Sequence, residues 1–466
     1  MRPRWRLEVE GLGRIERAEV DIHPLMLFVG PNNTGKSYLA SLLWGLLAMQ
    51  GELDTPKGPE LTACDEWLTQ HLSPDRLPVE HELTEQEIAL FDHLFDATLV
   101  AERSRLAARV FRDESMTVTD FRFRNTSSPR RARFECLVEQ PATGDRPPKY
   151  RLTLTDRAGD EEKSFATTTE TGDPAMLRAV ARDLIMRRLV FFRLTRVFKP
   201  FDGTYAGIDP IYLPASRTGF MQLYKAAVQR SFRDALGGKA AEGPWLDLTV
   251  PAFHFIDVLA FGLKNKLAPR YADEADLLES ALSGTVELLD GGGVNEFRYR
   301  PIAAQTALSM SRSSALVTEV APLVLILRHL QKFPAIILEE PEAHLHPELQ
   351  RRLAQVVVRL VRKGVYVWIT THSENFCQQI NNFMKLGALD PERRAAAQQH
   401  LGYGAQDYLE MDDVAGYQFK VDDVTARSSV VEMKKTPYGM AMPTFNVALL
   451  RLSEEVDYLD QLVMGE

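Results

Sequence analysis

The sequence predicts an α/β protein in which a mixed sheet forms the core and carries an inserted antiparallel β plus helical region. Three observations support this prediction. The apolar run LMLFV, residues 25–29, leads into a glycine-rich turn and an apolar helix. A second apolar run, AIIL at residues 335–338, ends in two glutamates, and stretches of alternating polar and apolar residues lie between the two runs. Continuous apolar runs are typical of buried parallel strands, whereas alternation is typical of strands with one exposed face.

Length and composition set limits on function. The chain has 466 residues, of which 45% are hydrophobic, so it can form two or three packed units. Its net charge of -9 means that any contact with nucleic acid would need a local basic patch. The three cysteines form no CxxC pair, which argues against a disulfide framework and a zinc ribbon. The start lacks the pattern of a signal peptide, and no apolar run reaches the roughly 18 residues of a membrane helix. We therefore expect a cytoplasmic protein with no membrane contact.

The elements divide the chain into three parts. We predict that residues 1–51 and 300–466 form the core, residues 52–210 the inserted α+β region, and residues 211–299 a mainly helical subdomain. The core begins with the strands RWRLEVEGL, RIERAEVDI and LMLFV. The insertion has a long helix in TEQEIALFDHLFDATLVAERSRLAARVF, and then strands in MTVTDFRFR, RARFECLVE and KYRLTLTD. The C-terminal part has helices in LVTEVAPLVLILRHL and LQRRLAQVVVRLVRKG, strands in VYVWIT, YLEMDD and YQFKVD, and a closing helix in FNVALLRLSEEVDYLDQLV.

The glycine-rich turn matches the pattern GxxxxGK[ST] in full, after a buried strand and before a helix. The glycines let backbone N–H groups curve around phosphate oxygens, and the helix directs the positive end of its dipole at the anion. Lys36 is predicted to reach the β and γ phosphates of ATP, and Ser37 to bind Mg²⁺. The predicted nucleotide-binding residues of this loop are Gly30, Pro31, Asn32, Asn33, Thr34, Gly35, Lys36 and Ser37.

Two strand ends supply the remaining predicted chemistry. Glu339 and Glu340 stand at the end of AIIL, where the carboxyl ends of parallel strands bind ligands. Adjacent strand residues point to opposite faces, so we assign Glu339 to the Mg²⁺ shell, through water, and Glu340 to the attacking water as a general base. His372 follows VYVWIT and is placed to donate a hydrogen bond to the γ phosphate or to the water.

The order of the P-loop, LSMSRSSALVTEVAPLVLIL, IILEEPEAHLHP and ITTHSENF resembles ABC-type ATPases of the SMC and OLD (overcoming lysogenization defect) group, many of which serve bacterial anti-phage defence. The resemblance covers roughly residues 1–50 and 300–385. It implies an ABC-ATPase-like P-loop core and a homodimer in which ATP is held between two copies. Ser313 and Ser314 of one copy would then bind the γ phosphate held by the other. Ala315 stands where the family has glycine, which could tighten this loop, weaken the binding of nucleotide between two copies, or have no effect. Glu339 stands where the family usually has aspartate, and its longer side chain shifts the charge outward, which is consistent with slow turnover.

Three features remain open at this stage. Arg217, in IYLPASRTGF, could contact phosphate or form a salt bridge between the lobes. Paired aspartates at 412–413 and 422–423 could hold two metals, but hairpin ends in solvent explain them better. An arginine-rich stretch that also contains Phe111, Phe121 and Phe123 could bind nucleic acid, although a solvated or protein-binding face is the favoured interpretation. Its arginines are Arg103, Arg105, Arg109, Arg112, Arg122, Arg124, Arg130, Arg131 and Arg133.

The leading functional hypothesis is a sensor or regulatory ATPase of a multi-component system, with anti-phage defence as the implied setting and a separate nuclease or toxin as effector. One alternative is an SMC-like ATPase that acts on DNA in genome maintenance through the arginine-rich stretch. Another is a scaffold that binds ATP and turns it over slowly.

Overall fold

The computed structural model describes residues 5–49, 53–125, 131–158, 161–191, 210–237, 248–264, 269–289, 293–441 and 443–464. The strands are β1 (Trp5–Leu12), β2 (Ile15–Asp21), β3 (Leu25–Val29), β4 (Val79–Leu83), β5 (Asp120–Asn125), β6 (Arg131–Gln140), β7 (Lys149–Ala158), β8 (Glu161–Glu170), β9 (Ile211–Leu213), β10 (Gly284–Leu289), β11 (Glu296–Pro301), β12 (Leu308–Ser309), β13 (Ala335–Glu339), β14 (Tyr366–Thr371), β15 (Val414–Val421), β16 (Ser428–Glu432), β17 (Lys435–Thr436) and β18 (Gly439–Met440). The α-helices are α1 (Lys36–Met49), α2 (Pro59–His71), α3 (Glu85–Phe111), α4 (Pro174–Phe191), α5 (Arg217–Gly237), α6 (Val250–Asp257), α7 (Ala272–Leu282), α8 (Ala315–His329), α9 (Pro347–Arg362), α10 (Glu374–Ala388), α11 (Pro391–Leu401) and α12 (Pro443–Met464).

A nine-stranded mixed sheet forms the core, in the order β5-β1-β2-β16-β15-β3-β14-β13-β9. The strands from β15 to β9 run parallel to one another, while β1 is antiparallel to both of its neighbours, β2 and β5. β3 lies inside the parallel part, between β14 and β15. The predicted α/β class with a mixed sheet is therefore confirmed.

The sheet buries side chains on both faces, and β3 shows the alternation clearly. Met26 and Phe28 belong to one apolar cluster, which includes helices α1 to α4. Leu25, Leu27 and Val29 belong to a second cluster, on the side of α5 to α10. Because a strand points successive side chains to opposite faces, a strand buried on both sides must be apolar throughout. The uninterrupted run LMLFV meets this requirement.

The inserted sheet is antiparallel, in the order β4-β6-β7-β8, and it shares its apolar cluster with α2, α3 and α4. One strand assigned to the insertion lies elsewhere: β5, from MTVTDFRFR, pairs with β1 at the edge of the core sheet. The Phe123 ring stacks on Trp5 with ring centroids 5.5 Å apart. Alternation predicts that a segment is a strand, but it carries no information about which sheet the strand joins.

The C-terminal part contains a wrong prediction. YLEMDD, expected as a strand, is irregular and ends in a single 3₁₀ turn at Met411–Asp413, and the strand begins only at Val414. Strand β16, which pairs with β15, was missed. The second aspartate pair lies in the turn between these strands, where the Asp422 carboxylate accepts hydrogen bonds from the backbone N–H groups of Val424 and Thr425. This pair is a hairpin end, as favoured.

All three cysteines, Cys64, Cys136 and Cys377, are free and buried, in agreement with the expectation of no disulfide framework. Burial raises the pKa of the Cys64 and Cys136 thiols to about 12. Within the described ranges, every helix is too short or too polar to span a bilayer.

Candidate active site

Strand register brings the predicted site residues to one edge of the core sheet. Val29, the last residue of β3, pairs with Thr371 at the end of β14, and Glu339 of β13 pairs with Thr370. β9 ends level with them, since Leu213 pairs with Leu338. The segments that follow these four strands therefore emerge side by side. They contain the glycine-rich loop, Glu340, His372 and Arg217.

The loop after β3 requires glycine at two positions. Gly35 has a φ of 96°, and a Cβ there would lie 2.6 Å from Cγ1 of Ile15. A Cβ on Gly30 would lie 2.8 Å from the carbonyl oxygen of Phe419, on the neighbouring strand β15. Within the loop, the Thr34 hydroxyl donates to the Pro31 carbonyl at 3.0 Å. The loop is thus held close to the sheet, and α1 begins directly after it, at Lys36.

Lys36 is buried and turned onto its own loop. Its Nζ donates to the carbonyl oxygens of Gly30 at 2.9 Å and of Pro31 at 2.7 Å. Burial lowers the pKa of Lys36 to about 8, although the nearby carboxylates, Glu340 first among them, oppose this shift. The buried ammonium group donates to carbonyl oxygens, and a bound anion would stabilise its charged form.

A cavity of about 720 Å³ opens in front of the loop. Its size lies within the range of small-molecule clefts, roughly 300–1,000 Å³. The structure thus brings together residues from three predicted motifs that are far apart in the sequence. The cavity is lined by Arg14, Asn32, Asn33, Thr34, Gly35, Lys36, Ser37, Tyr38, Glu340 and His372.

Glu340 and His372 both line this cavity and lie next to each other. Nε2 of His372 lies 3.4 Å from Oε1 of Glu340, and the hydrogen bond between them holds the pKa of Glu340 below its usual value. Glu340 has a φ of 40°, and its backbone N–H donates to the Thr370 carbonyl at 2.9 Å. The strand ends at Glu339, so a left-handed turn, rather than strand alternation, separates the two carboxylates.

Glu339, unlike Glu340, lies in the interior of the protein. It is buried, its Oε2 accepts from the backbone N–H of Ala215 at 3.1 Å, and its Oε1 has no hydrogen-bond partner among the described residues. It does not line the cavity described above. The Ser37 hydroxyl and the unpaired Glu339 oxygen are hard donors of the kind that Mg²⁺ prefers, so the residues present fit this ion. The metal-binding roles of Ser37 and Glu339 remain predictions.

Arg217 is buried and does not line the cavity. Its Nε lies 3.0 Å from the Glu319 carboxylate on α8. Its Nη1 donates to the carbonyl of Glu339 at 2.7 Å, and its Nη2 to that of Glu340 at 3.2 Å. Burial lowers the pKa of Arg217, and the Glu319 carboxylate opposes this effect. Of the two roles left open by the sequence, the structure supports the salt bridge between lobes.

Three further residues at this edge have no role predicted from the sequence. The Glu342 carboxylate accepts hydrogen bonds from the Thr371 hydroxyl and from the backbone N–H groups of His372 and Ser373, so it shapes the turn that carries the histidine. Arg14 and Tyr38 line the cavity. Glu342 belongs to the EEPE motif, which was a usable signal, whereas Arg14 lies in a hairpin turn with no motif around it.

Ser313 and Ser314 lie outside the cavity. Ser314 is the N-cap of α8, and its hydroxyl accepts from the Val317 N–H at 3.4 Å. The Ser313 hydroxyl donates to the Ser309 carbonyl at 3.1 Å. Ser314 and Ala315 are exposed. The structure therefore does not bring the serines to the P-loop of their own chain, and their contact with a second copy stays a prediction.

Several arginines of the arginine-rich stretch form ion pairs with carboxylates. Arg105 pairs with Asp54, Arg122 with Asp120, and Arg133 with Glu80, while Arg130 lies outside the described residues. The three phenylalanines, Phe111, Phe121 and Phe123, are buried and unable to stack on bases. The structure thus favours the solvated or protein-binding interpretation of this stretch.

Comparisons with known proteins agree with the site in part. Residues 252–377 match the family described as "AAA domain, putative AbiEii toxin, Type IV TA system". This segment contains Glu340 and His372 but not the P-loop. No curated protein matches the chain.

Three solved structures are similar at low identity. They are the Smc head bound to the C-terminal winged-helix domain of ScpA (11% identity, 92% of this chain and 97% of that chain, TM-score 0.37), the Thermotoga maritima SMC head domain (10%, 93% and 100%, TM-score 0.33) and the Pyrococcus furiosus Smc head domain with an extended coiled coil, bound to the C-terminal domain of ScpA (10%, 97% and 98%, TM-score 0.35). The family match and the complete P-loop together support a P-loop ATPase of the AAA type.

Proposed function

We propose that this protein is an ABC-type ATPase that binds ATP with Mg²⁺ between two copies of itself, arranged head to tail, and hydrolyses it. One observation carries the proposal. The P-loop with its lysine, a carboxylate and a histidine line a single cavity, although the first lies some three hundred residues before the others. Phosphoryl transfer to water depends mainly on positioning and on charge stabilisation, and these residue types supply both.

Each residue has a role that follows from its position. Backbone N–H groups of residues 30–37 and the start of α1 would bind the phosphates, and Lys36 would exchange its carbonyl partners for phosphate oxygens. Glu340, ionised and facing the cavity, would take a proton from the attacking water as general base. His372 would hold Glu340 and contact the γ phosphate. Bound Mg²⁺ would neutralise charge on the phosphates, with Ser37 as a donor and Glu339 acting through water.

Substitution at the two ends of this cavity tests the proposal. Glu340→Gln keeps the shape but removes the base, so steady-state ATP hydrolysis should fall by roughly 10²–10⁴-fold while ATP binding persists. Lys36→Ala should weaken binding itself. Glu348→Gln, at an exposed site in the first turn of α9, is the matched control and should leave hydrolysis unchanged. Hydrolysis that survives both Lys36→Ala and Glu340→Gln would contradict the proposal.

The finer role that we propose is a sensor or regulatory ATPase of an anti-phage defence system, which passes a signal to a separate nuclease or toxin. The resemblance of the motifs to the OLD group supports it, as does the toxin–antitoxin wording of the family description. Co-expression with the products of neighbouring reading frames tests it. An ATP-dependent complex with a nuclease or toxin is the expected result, and association with repair proteins alone would contradict it.

The slow-turnover scaffold is a second candidate, because Ala315 and Glu339 both depart from the family pattern. Kinetics separate it from the proposed enzyme. An enzyme releases phosphate over many steady turnovers, whereas a scaffold completes at most one turnover per site on the time scale of the assay.

A further inference from the structure

A cluster of side chains that can act as metal ligands lies in the inserted region, outside the cavity in front of the P-loop. His71 is the last residue of α2, His81 lies in β4, and Glu87 lies in the first turn of α3. Among the residues that the structure describes, these three form the one group whose ligand atoms are close enough to share a metal ion, all within 4.8 Å of one another. Three separate elements therefore converge on one point.

The distances suit a metal with imidazole and carboxylate ligands. Nε2 of His81 lies 3.0 Å from Oε1 of Glu87, and Nε2 of His71 lies 4.0 Å from the same oxygen. Ligand atoms placed tetrahedrally at Zn²⁺ bond lengths are about 3.3 Å apart. The two measured separations lie on either side of that value, so the side chains would need only small rotations to bind an ion.

Neighbouring groups fix the orientation of the His71 ring and of the Glu87 carboxylate. Nδ1 of His71 lies 2.8 Å from the Trp67 carbonyl, which can only accept, so Nδ1 carries the proton and Nε2 offers its lone pair toward Glu87. This arrangement, in which the second ring nitrogen donates to a carbonyl, is typical of metal-bound histidine. The His71 ring also stacks on Trp67, with centroids 4.4 Å apart, and Trp67 Nε1 donates to Oε1 of Glu87 at 2.8 Å.

Glu87 also caps the N-terminus of α3, and this role uses a different carboxylate oxygen from the one that faces the histidines. Its Oε2 accepts from the Thr84 N–H and hydroxyl in a capping box, while Oε1 faces the two histidines. The three side chains keep between 18% and 29% of their surface exposed. An ion could therefore enter from solvent, and water could complete its coordination.

We propose that His71, His81 and Glu87 form a binding site for a divalent transition metal of the Zn²⁺ class, which ties α2, β4 and α3 together. Two imidazoles and one carboxylate are ligands that Zn²⁺ accepts, and calcium and magnesium favour sites built from oxygen alone. Without the metal, His81 donates its Nε2–H to Glu87. With the metal, that proton moves to Nδ1, and Nε2 becomes a ligand.

The test uses the full chain without a histidine tag, stripped with chelator and titrated with Zn²⁺ by calorimetry and with Co²⁺ by visible absorption. We expect about one ion per chain and a Zn²⁺-dependent rise in Tm, because an ion that binds only the folded state stabilises it. His71→Phe keeps a ring stacked on Trp67 but removes a ligand, and His81→Ala removes the other imidazole. Loss of an outer-sphere partner alone costs roughly 10–100-fold in affinity, so each variant should weaken binding by at least that factor.

His93→Ala, an exposed histidine on α3 outside the cluster, is the matched control and should bind Zn²⁺ like the unchanged protein. Melting curves in chelator show whether the His71 and His81 variants fold. Binding that survives both His71→Phe and His81→Ala lies elsewhere and overturns the proposal. Failure of Zn²⁺ and Co²⁺ to bind the folded, unchanged chain at about 100 μM overturns it too, and leaves a hydrogen-bonded triad.

Discussion

At the scale of single residues, the site depends on two charged side chains, Lys36 and Glu340, whose pKa values are lowered by their surroundings. Lys36 is buried and donates its hydrogen bonds to backbone carbonyl oxygens, and the hydrogen bond with His372 holds Glu340 ionised. Burial of an ammonium group without a bound anion disfavours its charged form, and a triphosphate reverses that penalty. The lysine should therefore couple nucleotide binding to proton uptake.

The pKa of Lys36, about 8 in the nucleotide-free protein, makes this coupling measurable. Phosphate oxygens favour the protonated lysine, so its pKa rises on binding, and affinity falls once pH exceeds the lower value. We expect the ATP affinity to drop roughly tenfold or more between pH 8 and about pH 9.5, with proton uptake in calorimetry. Phosphate groups titrate near pH 6, so the ligand contributes little over this range.

Lys36→Arg provides the control for this pH dependence, because a guanidinium stays charged throughout. If that variant binds ATP, its affinity should be flat over the same interval. A steep loss of affinity in Lys36→Arg would assign the effect to another group.

At the scale of elements, the sequence predicts local patterns well, but it does not predict which distant segments of the chain contact one another. The P-loop with its flanking strand and helix is one continuous segment, so its apolar run, glycines and lysine could be recognised together. Membership of β5 in the core sheet, by contrast, depends on its pairing with the distant strand β1, where Phe123 stacks on Trp5, and alternation does not encode this pairing. Glu342 and Arg217 act through hydrogen bonds to backbone groups of other strands, which side-chain patterns do not show.

Arg217 connects α8, whose N-terminus carries the predicted serines, with the end of β13, which carries the two glutamates. It contacts Glu319 on α8, the helix capped by Ser314, and it holds the carbonyls of Glu339 and Glu340 at the end of β13. A planar guanidinium can meet these partners at once, whereas an ammonium group cannot reproduce the fork. We therefore expect Arg217 to act as a positioning residue for Glu340, the proposed general base.

Arg217→Lys should lower kcat by about tenfold or more and change KM for ATP much less, because the nucleotide-binding loop is untouched. Arg217→Met leaves Glu319 buried without its partner and should cost roughly 3–5 kcal/mol of unfolding free energy. Steady-state kinetics and denaturant melts measure the two effects. A purely structural role would leave kcat of the folded Arg217→Lys protein unchanged.

At the scale of the whole molecule, the predicted site is divided between surfaces that one chain does not bring together. The P-loop cavity opens on one part of the surface, while Ser313 and Ser314 stand outside it at the start of α8. If ATP joins two copies, each nucleotide uses the P-loop of one and the serines of the other. Such an arrangement has two-fold symmetry, with two equivalent sites per dimer.

Mixing two inactive variants tests this arrangement. Lys36→Ala removes the phosphate-binding lysine, and Ser314→Asp keeps a good N-cap while placing negative charge where the γ phosphate would lie. In a mixed dimer both defects fall on one site, and the other site is intact. An equal mixture contains half mixed dimers, so hydrolysis should recover to about a quarter of the unmixed, unchanged protein. If each chain instead formed a complete site by itself, every site in the mixture would carry one of the two substitutions. Hydrolysis would then show no recovery on mixing.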